Sequence, residues 1–285
     1  MDMENLAQSQ MLSPFFSIVV PTFNSAESLI RCIDSVHNQS YPFKELIIID
    51  GGSNDGTVEI IQSHQHKVDY WETGSDCGIY DAFNKGIQRS NGNWLLFLGG
   101  DDFLWSSEVL TLIAAEIKYV DIRKKFVYGK VNHISHDGVP IKTTGSTWNP
   151  ERLMHTQTPI DHQGLFHHIS LFKKFGLYSL KYNVVSDYEF QLRVLSIDKN
   201  CCHFFPIHVS GHQHGGVSTF LNRRLINFIQ GDKIRIKYKI KVPFYRRLIK
   251  YMGAFFWWFS SKIYDESFVR KIEYNIISIK TKLMR

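Results

Sequence analysis

Cysteine is scarce, with four in 285 residues. Cys32 and Cys77 stand alone and Cys201 adjoins Cys202, so no paired zinc spacing occurs. Adjacent cysteines also make poor structural disulfides. That usage fits a reducing compartment, and a cytoplasmic setting is expected. Long apolar runs are missing too: no stretch reaches the roughly 18 residues of a membrane-spanning helix. The opening MDMENLAQSQMLSPFF has neither the basic start nor the apolar centre of a secretion signal. Residues 1–14 read instead as a flexible lead-in. Two glycine signatures are absent as well. The run Gly51–Gly52–Ser53–Asn54–Asp55–Gly56 fits neither GxGxxG nor GxxxxGK[ST], which weighs against dinucleotide dehydrogenases and P-loop enzymes.

The remainder is ordinary globular composition, 44% hydrophobic and 21% charged. Its length suits one large domain, or one domain with an appendage. The net charge of +6 conceals an asymmetry. Residues 221–285 hold 16 Lys+Arg against 4 Asp+Glu, and the first 220 hold 17 against 23. A mildly acidic body therefore carries a basic tail, which points to an anionic partner such as a membrane surface or nucleic acid.

The chain is organised around Trp94–Leu104. Trp94 to Leu98 is an uninterrupted apolar run of strand length, fitting a strand buried on both faces. Gly99 and Gly100 permit a sharp turn, and Asp101 and Asp102 follow. Carboxylates at the carboxyl end of a buried strand lie where open α/β sheets bind ligands. A solvated turn would use the same residue types. Phe16–Val20 predicts another strand, ended by Pro21, with Asn24 or Ser25 capping a helix that spans Leu29 to Val36. Leu46–Ile49 predicts a strand ending in Asp50, then a helix from about Thr57 to His64 and a strand at Val68–Trp71. This alternation implies a parallel sheet with covering helices, its strand ends Thr22, Asp50 and Asp101–Asp102 sharing one edge.

Five stretches in order resemble the inverting family 2 glycosyltransferases of GT-A fold. They are residues 18–57 (IVVPTFNSAESLIRCIDSVHNQSYPFKELIIIDGGSNDGT), 75–87 (SDCGIYDAFNKGI), 97–102 (FLGGDD), 161–168 (DHQGLFHH) and 186–194 (SDYEFQLRV). The resemblance covers about 15–220. Within the family, the form is similar to the branch building bacterial surface polysaccharides such as O-antigen, capsule or colanic acid. It implies a Rossmann-like, mostly parallel mixed sheet with helices on both faces. A nucleotide half is expected at about 15–124 and an acceptor half at about 125–220. It further implies transfer of one sugar, with inversion, from a nucleotide-diphosphate sugar to a lipid-linked or oligosaccharide acceptor. The processive QXXRW motif is absent.

By the same resemblance, Asp101 and Asp102 form the DXD-type element, Asp102 as the direct ligand of Mg²⁺ or Mn²⁺ and Asp101 toward the ribose or a metal-bound water. Such cations suit oxygen ligands, and stabilise a leaving diphosphate. Thr22, Asp50, Asp76 and Asp81 fall at nucleotide-sugar positions, although Asp81 could equally cap the following helix and Asp76 face solvent. Gly51 replaces the second aspartate of the commoner Asp-Asp-Gly-Ser form. Asp161 and His162 fall on the acceptor side, and Asp187 where the family places its general base. Asp187 could instead cap the helix Tyr188–Leu195. His214 is a candidate late histidine for the metal site. His133, with six other histidines, has no motif and reads as structural or exposed.

The tail, 221–285, reads as a basic, aromatic extension seated peripherally on the inner face of the cell membrane. Its apolar run Tyr251–Phe259 is flanked by Arg246, Arg247, Lys250 and Lys262. Packing of those rings on the catalytic domain is the alternative. Two other classes compete. A nucleotidyltransferase would want a basic phosphate loop after the first strand, where Lys and Arg are absent. A nucleic-acid binder would leave the strand-end aspartates unused and set an acidic body against phosphates, so no nucleic-acid partner is expected.

Overall fold

A computed structural model describes residues 13–135, 138–151, 160–214, 224–240, 243–263 and 272. Most of the expected lead-in, the Gly215–Gly216 loop and nearly all the chain beyond 263 lie outside the described residues.

The apolar runs form a parallel core: β1 (Phe16–Thr22), β2 (Lys44–Asp50), β3 (Tyr70–Thr73) and β4 (Trp94–Phe97), ordered β3-β2-β1-β4. Beyond β4 the sheet becomes mixed. It adds β5 (Phe103–Leu104), β6 (Phe126–Ile134), β7 (Pro140–Thr144), β8 (Leu165–His168) and β9 (Cys202–Gln213). The order continues β4-β8-β6-β9-β5, with β7 paired to β6. Strand β8 runs antiparallel to β4 and β6, whereas β9 runs parallel to β6.

Alternation along β1 feeds two cores. Ile18 and Val20 pack with Leu29, Ile33 and Val36 of α1 (Leu29–His37) and Leu110 and Ile113 of α4 (Val109–Ile117). Val19 points the other way, to Phe83 and Ile87 of α3 (Ile79–Arg89) and Phe190 and Leu192 of α6 (Ser186–Leu195). Each such side chain, fully buried, contributes about 1.5–3 kcal/mol. Gly86 allows this second contact: a Cβ there would lie 2.2 Å from Val19 Cγ1. Helices α2 (Thr57–Ser63) and α5 (Ser170–Phe175) complete the layers.

Three local expectations are corrected. Pro21 does not end β1, which runs through Thr22. The Val19 carbonyl accepts from Leu98 on the β4 side, and the Thr22 carbonyl accepts from Gly51 on the β2 side. Pro21 shares the side of Val19, where β4 pairing has already stopped at Phe97, so its missing N–H costs no ladder bond. Neither Asn24 nor Ser25 caps α1, which opens after Ser28; Asn24 instead adopts a left-handed backbone and its side chain accepts from the Asn54 N–H. The strand expected at Val68–Trp71 lies at Tyr70–Thr73, because Gln65–Lys67 forms a 3₁₀ turn first.

The tail begins as α7 (Arg224–Lys237) and α8 (Phe244–Ile263). Ile234 of α7 is fully buried in the same core as Phe190, so α7 packs onto the catalytic body although it lies beyond residue 220. Asp232 joins the two helices, accepting from Arg235 at 2.7 Å, Arg247 at 3.0 Å and Tyr251 at 2.9 Å. The opposite face of α8 is uncovered: Phe244, Tyr245, Leu248, Ile249, Met252, Phe255, Phe256, Phe259 and Ile263 are all exposed. At 3.6 residues per turn these positions span an arc of only about 140°. No helix among the described residues is long and apolar enough to cross a membrane.

Candidate active site

Parallel register brings Thr22, Asp50 and Thr73 side by side at the ends of β1, β2 and β3. Asp50 is buried and accepts from Thr22 Oγ1 at 3.1 Å, Thr73 Oγ1 at 2.6 Å, and the Gly52 and Ser53 N–H groups at 3.0 Å. Burial alone would raise this carboxyl, but those donors hold it below its ordinary range. Asp50 thus shapes the loop after β2. It does not line the cleft that opens above the strand ends, a space of about 1770 Å³.

Thr22, Asp76, Asp101, Asp102, Asp161, His162, Asp187 and His214 all line that cleft; Asp81 does not. Asp81 sits in the first turn of α3, where its carboxylate accepts from the Cys77 N–H at 3.1 Å and pairs with Lys85. Gly78, not Asp81, holds the cap position of α3. Asp76 accepts from the Gly78 N–H at 2.8 Å, and a Cβ on Gly51 would stand 2.9 Å from its Oδ2. Asp76 therefore occupies the space beside the position where Gly51 lacks a carboxylate. Phe23, on the adjoining loop and 61% exposed, adds an apolar face to the cleft rim.

On one side of the cleft stand the paired carboxylates. Asp102 is 1% exposed; its Oδ1 meets His212 Nδ1 at 2.8 Å and the Gln213 N–H at 3.1 Å, and its Oδ2 accepts from the Gly99 N–H at 2.9 Å. Asp101 is less buried, and among the described residues no side chain hydrogen-bonds its carboxylate. Burial and the neighbouring Asp102 charge raise that carboxyl to about 6. Arg31 spans the turn, donating to the Asp101 carbonyl at 2.8 Å and to the Gln213 side chain, its guanidinium 4.4 Å above the Phe103 ring.

Histidines gather beside these carboxylates. His133 and His212 are register partners on β6 and β9, and His214 lies two residues further along, on the same face. His133 Nδ1 lies 3.0 Å from His214 Nε2, and His133 Nε2 lies 2.8 Å from Thr144 Oγ1 and 3.7 Å from Asp161 Oδ2. One nitrogen from each of the three rings falls within 4.8 Å of the others. His133, expected to be structural or exposed, is buried and belongs to this cluster. Burial opposes charging of His212, but Asp102, Asp101 and Asp161 raise its proton affinity. Burial would also raise Asp161, yet His133 and Thr144 bring it down to about 2. The pocket is thus strongly attractive to positive charge.

Asp187 stands elsewhere on the cleft, in the first turn of α6. Its Oδ1 accepts from the Tyr80 hydroxyl at 2.7 Å, and Val185 rather than Asp187 occupies the cap position. Burial and the Asp187 charge push the Tyr80 phenol well above its usual range, so Tyr80 remains a donor. His162 is buried under the cleft, 5.1 Å from and parallel to the Phe97 ring, with Nε2 2.9 Å from the Tyr178 hydroxyl. Burial lowers its pKa, leaving a neutral imidazole. Phe228, Lys250, Gly253 and Ala254 of the tail helices also line the cleft, a contribution not expected from the sequence.

A mixed, mostly parallel α/β sheet with acidic residues above its strand ends is a GT-A-like fold. The sequence profile of Glycosyl transferase family 2 matches residues 17–180, and the chain belongs to that family. A PGL/p-HBAD biosynthesis glycosyltransferase of Mycobacterium bovis (strain BCG / Pasteur 1173P2) is 34% identical over 213 residues, covering 73% of this chain and 81% of the relative. Staphylococcus aureus TarS 1–349 with UDP-GlcNAc superposes with a TM-score of 0.60 at 18% identity, over 84% of this chain and 79% of TarS 1–349. The mannosyltransferase PcManGT of Pyrobaculum calidifontis, with GDP-Man and Mn²⁺, gives 0.55 at 15% identity, over 95% and 87%. The protein is a family 2 glycosyltransferase.

Proposed function

We propose that the enzyme transfers a single sugar, with inversion, to a lipid-linked saccharide during assembly of a cell-surface polysaccharide, of O-antigen, capsule or colanic acid type. The observation that carries the reading is one cleft bearing Asp101, Asp102 and His214 together with Asp187. In this reading residues 15–124 hold the nucleotide and residues 125–220 face the acceptor. Thr22, Asp76 and Asp101 line the donor side, Phe23 offers a flat face to the base, and Asp161 and His162 lie toward the acceptor. Asp50 and Asp81 shape donor loops from behind.

Asp187 takes the proton of the acceptor hydroxyl as that oxygen attacks the anomeric carbon and the bond to the diphosphate breaks. The Tyr80 hydroxyl holds the Asp187 carboxylate in place. Asp101, Asp102 and His214 would hold a divalent cation, and the donor set fits one: two carboxylates and an imidazole in a cation-attracting pocket. Asp102 Oδ2, engaged among the described residues by the Gly99 N–H alone, retains a lone pair for it. Such an ion, when bound, stabilises charge on the departing diphosphate.

The two solved structures named above carry UDP-GlcNAc and GDP-Man, which supports a nucleoside diphosphate sugar here. The exposed apolar face of α8 supports a peripheral seat on an anionic membrane, from which a lipid-linked acceptor enters past the Phe228–Lys250 wall. The test is a thermal-shift panel of nucleoside diphosphates with Mn²⁺. A ligand at 100 times its dissociation constant stabilises by about 2.7 kcal/mol. One nucleotide should raise the melting temperature, and less so with chelator; no shift with any nucleotide would overturn the donor reading.

A further inference from the structure

We infer that the cation seat is a three-imidazole site, in which His133 and His212 join His214 as ligands, and that it binds a nitrogen-preferring divalent ion such as Co²⁺ or Zn²⁺ ahead of Mg²⁺ and without nucleotide. The inference rests on the proposed cation-dependent function and adds which residues hold the ion and which ion they select.

Strand pairing builds the cluster. Parallel register sets His133 of β6 beside His212 of β9, and the two-residue alternation of β9 puts His214 on the face of His212. The three ring nitrogens lie within 4.8 Å of one another, close enough for one ion to replace the contact between His133 Nδ1 and His214 Nε2. Two rings are already oriented through their other nitrogen. Asp102 Oδ1 engages His212 Nδ1 at 2.8 Å, leaving Nε2 as the ligating atom. Thr144 Oγ1 engages His133 Nε2 at 2.8 Å, with Asp161 behind it, leaving Nδ1. A carboxylate or hydroxyl on the far nitrogen is the support that metal-ligating histidines ordinarily carry, since it fixes tautomer and ring angle. Asp102 then acts as a positioning residue for His212, in place of a direct ligand role, because its carboxylate sits on the ring nitrogen that faces away from the ion. Two of the imidazoles, His133 and His212, are buried, so their rotamers are set before any ion arrives.

Three neutral nitrogen donors favour the later first-row ions. Mg²⁺ prefers an octahedron of oxygens and retains water, so it gains little here. Asp101 stays available to share the ion with a diphosphate.

The test uses the full chain stripped of metal. Co²⁺, Zn²⁺, Mn²⁺ and Mg²⁺ are titrated separately by calorimetry without nucleotide, and Co²⁺ is followed by its visible absorption. The expected result is one equivalent of Co²⁺ or Zn²⁺ bound at least tenfold more tightly than Mg²⁺, with nitrogen-ligand absorption bands. His214→Ala should weaken Co²⁺ binding by tenfold or more. Thr144→Val, which leaves the imidazoles intact, should weaken it less; it keeps the test readable if His133→Ala fails to fold. Equal affinity for Mg²⁺ and Co²⁺, or Co²⁺ binding unchanged in folded His214→Ala and His133→Ala proteins, would overturn the inference. The nucleotide panel, repeated with Mg²⁺ in place of Mn²⁺, reads the donor function separately, so a glycosyltransferase using an oxygen-ligated Mg²⁺ would fail this test and pass that one.

Discussion

Among the described residues the Asp187 carboxylate has one hydrogen bond, from the Tyr80 hydroxyl at 2.7 Å. A carboxylate that accepts from a phenol while facing an open cleft is oriented yet keeps lone pairs for an incoming hydroxyl. Asp187→Asn should therefore retain donor and metal binding and lose transfer by roughly 10²–10⁴-fold. Single-turnover transfer, measured beside donor affinity, separates the two effects. A loss confined to donor affinity would remove Asp187 from the base role. Tyr80→Phe should lower the transfer rate less, since it removes orientation rather than the proton acceptor.

At the scale of elements, α6 carries Asp187 and is gripped two residues later by the C-terminal end of α7. Glu189 is 1% exposed and accepts from Arg193, from Lys237 at 2.8 Å and from Tyr238 at 2.6 Å. Burial would raise its carboxyl, but these donors hold it below its ordinary range. The folded pKa thus lies below the unfolded value of about 4.3. The stabilisation is complete above that value and disappears as pH falls through the folded pKa. Glu189→Gln should cost about 1–3 kcal/mol at neutral pH, and its melting temperature should converge on the wild type in acid. A gap unchanged from pH 7 to pH 3 would contradict this account. The same grip bears on truncation. A chain ending near Phe220 loses buried Ile234 and the partners of Glu189, so it should melt well below the full chain or fail to fold. A chain ending after Ile240 should retain the domain's stability.

The whole molecule pairs an acidic body with a basic tail, and α8 presents aromatic and aliphatic side chains outward while its other face is tied to Asp232. Large exposed apolar faces mark interaction surfaces, and clustered Lys and Arg near them attract anionic lipid at about 1 kcal/mol each. The full chain should co-sediment with anionic vesicles, less so with neutral ones or at high salt. Phe255→Glu combined with Phe256→Glu should abolish binding without altering the fold, since both side chains are exposed. Equal sedimentation of the double variant would rule out α8 as the seat.

The sequence by itself determined the parallel core, because short uninterrupted runs such as Leu46–Ile49 and Trp94–Leu98, bounded by turn residues, fit strands buried on both faces. It also placed Asp101 and Asp102 just past such a strand, and the family's motif order marked Asp187. What it left open depends on strand pairing over long separations. Nothing local to His133 signals that β9, some 80 residues later, will lie parallel to β6 in the register that sets His212 at its side. The spacing of His212 and His214 gave the one available hint, two imidazoles on one strand face. Asp50 and Asp81, legible as strand-end and helix-start acids, were assigned to loop support rather than the cleft wall only by their hydrogen-bond partners on neighbouring strands and backbone. The tail's composition foretold its charge and aromatic content. Which face it would bury was decided by Asp232 and Glu189, groups whose partners come together only when α6, α7 and α8 pack.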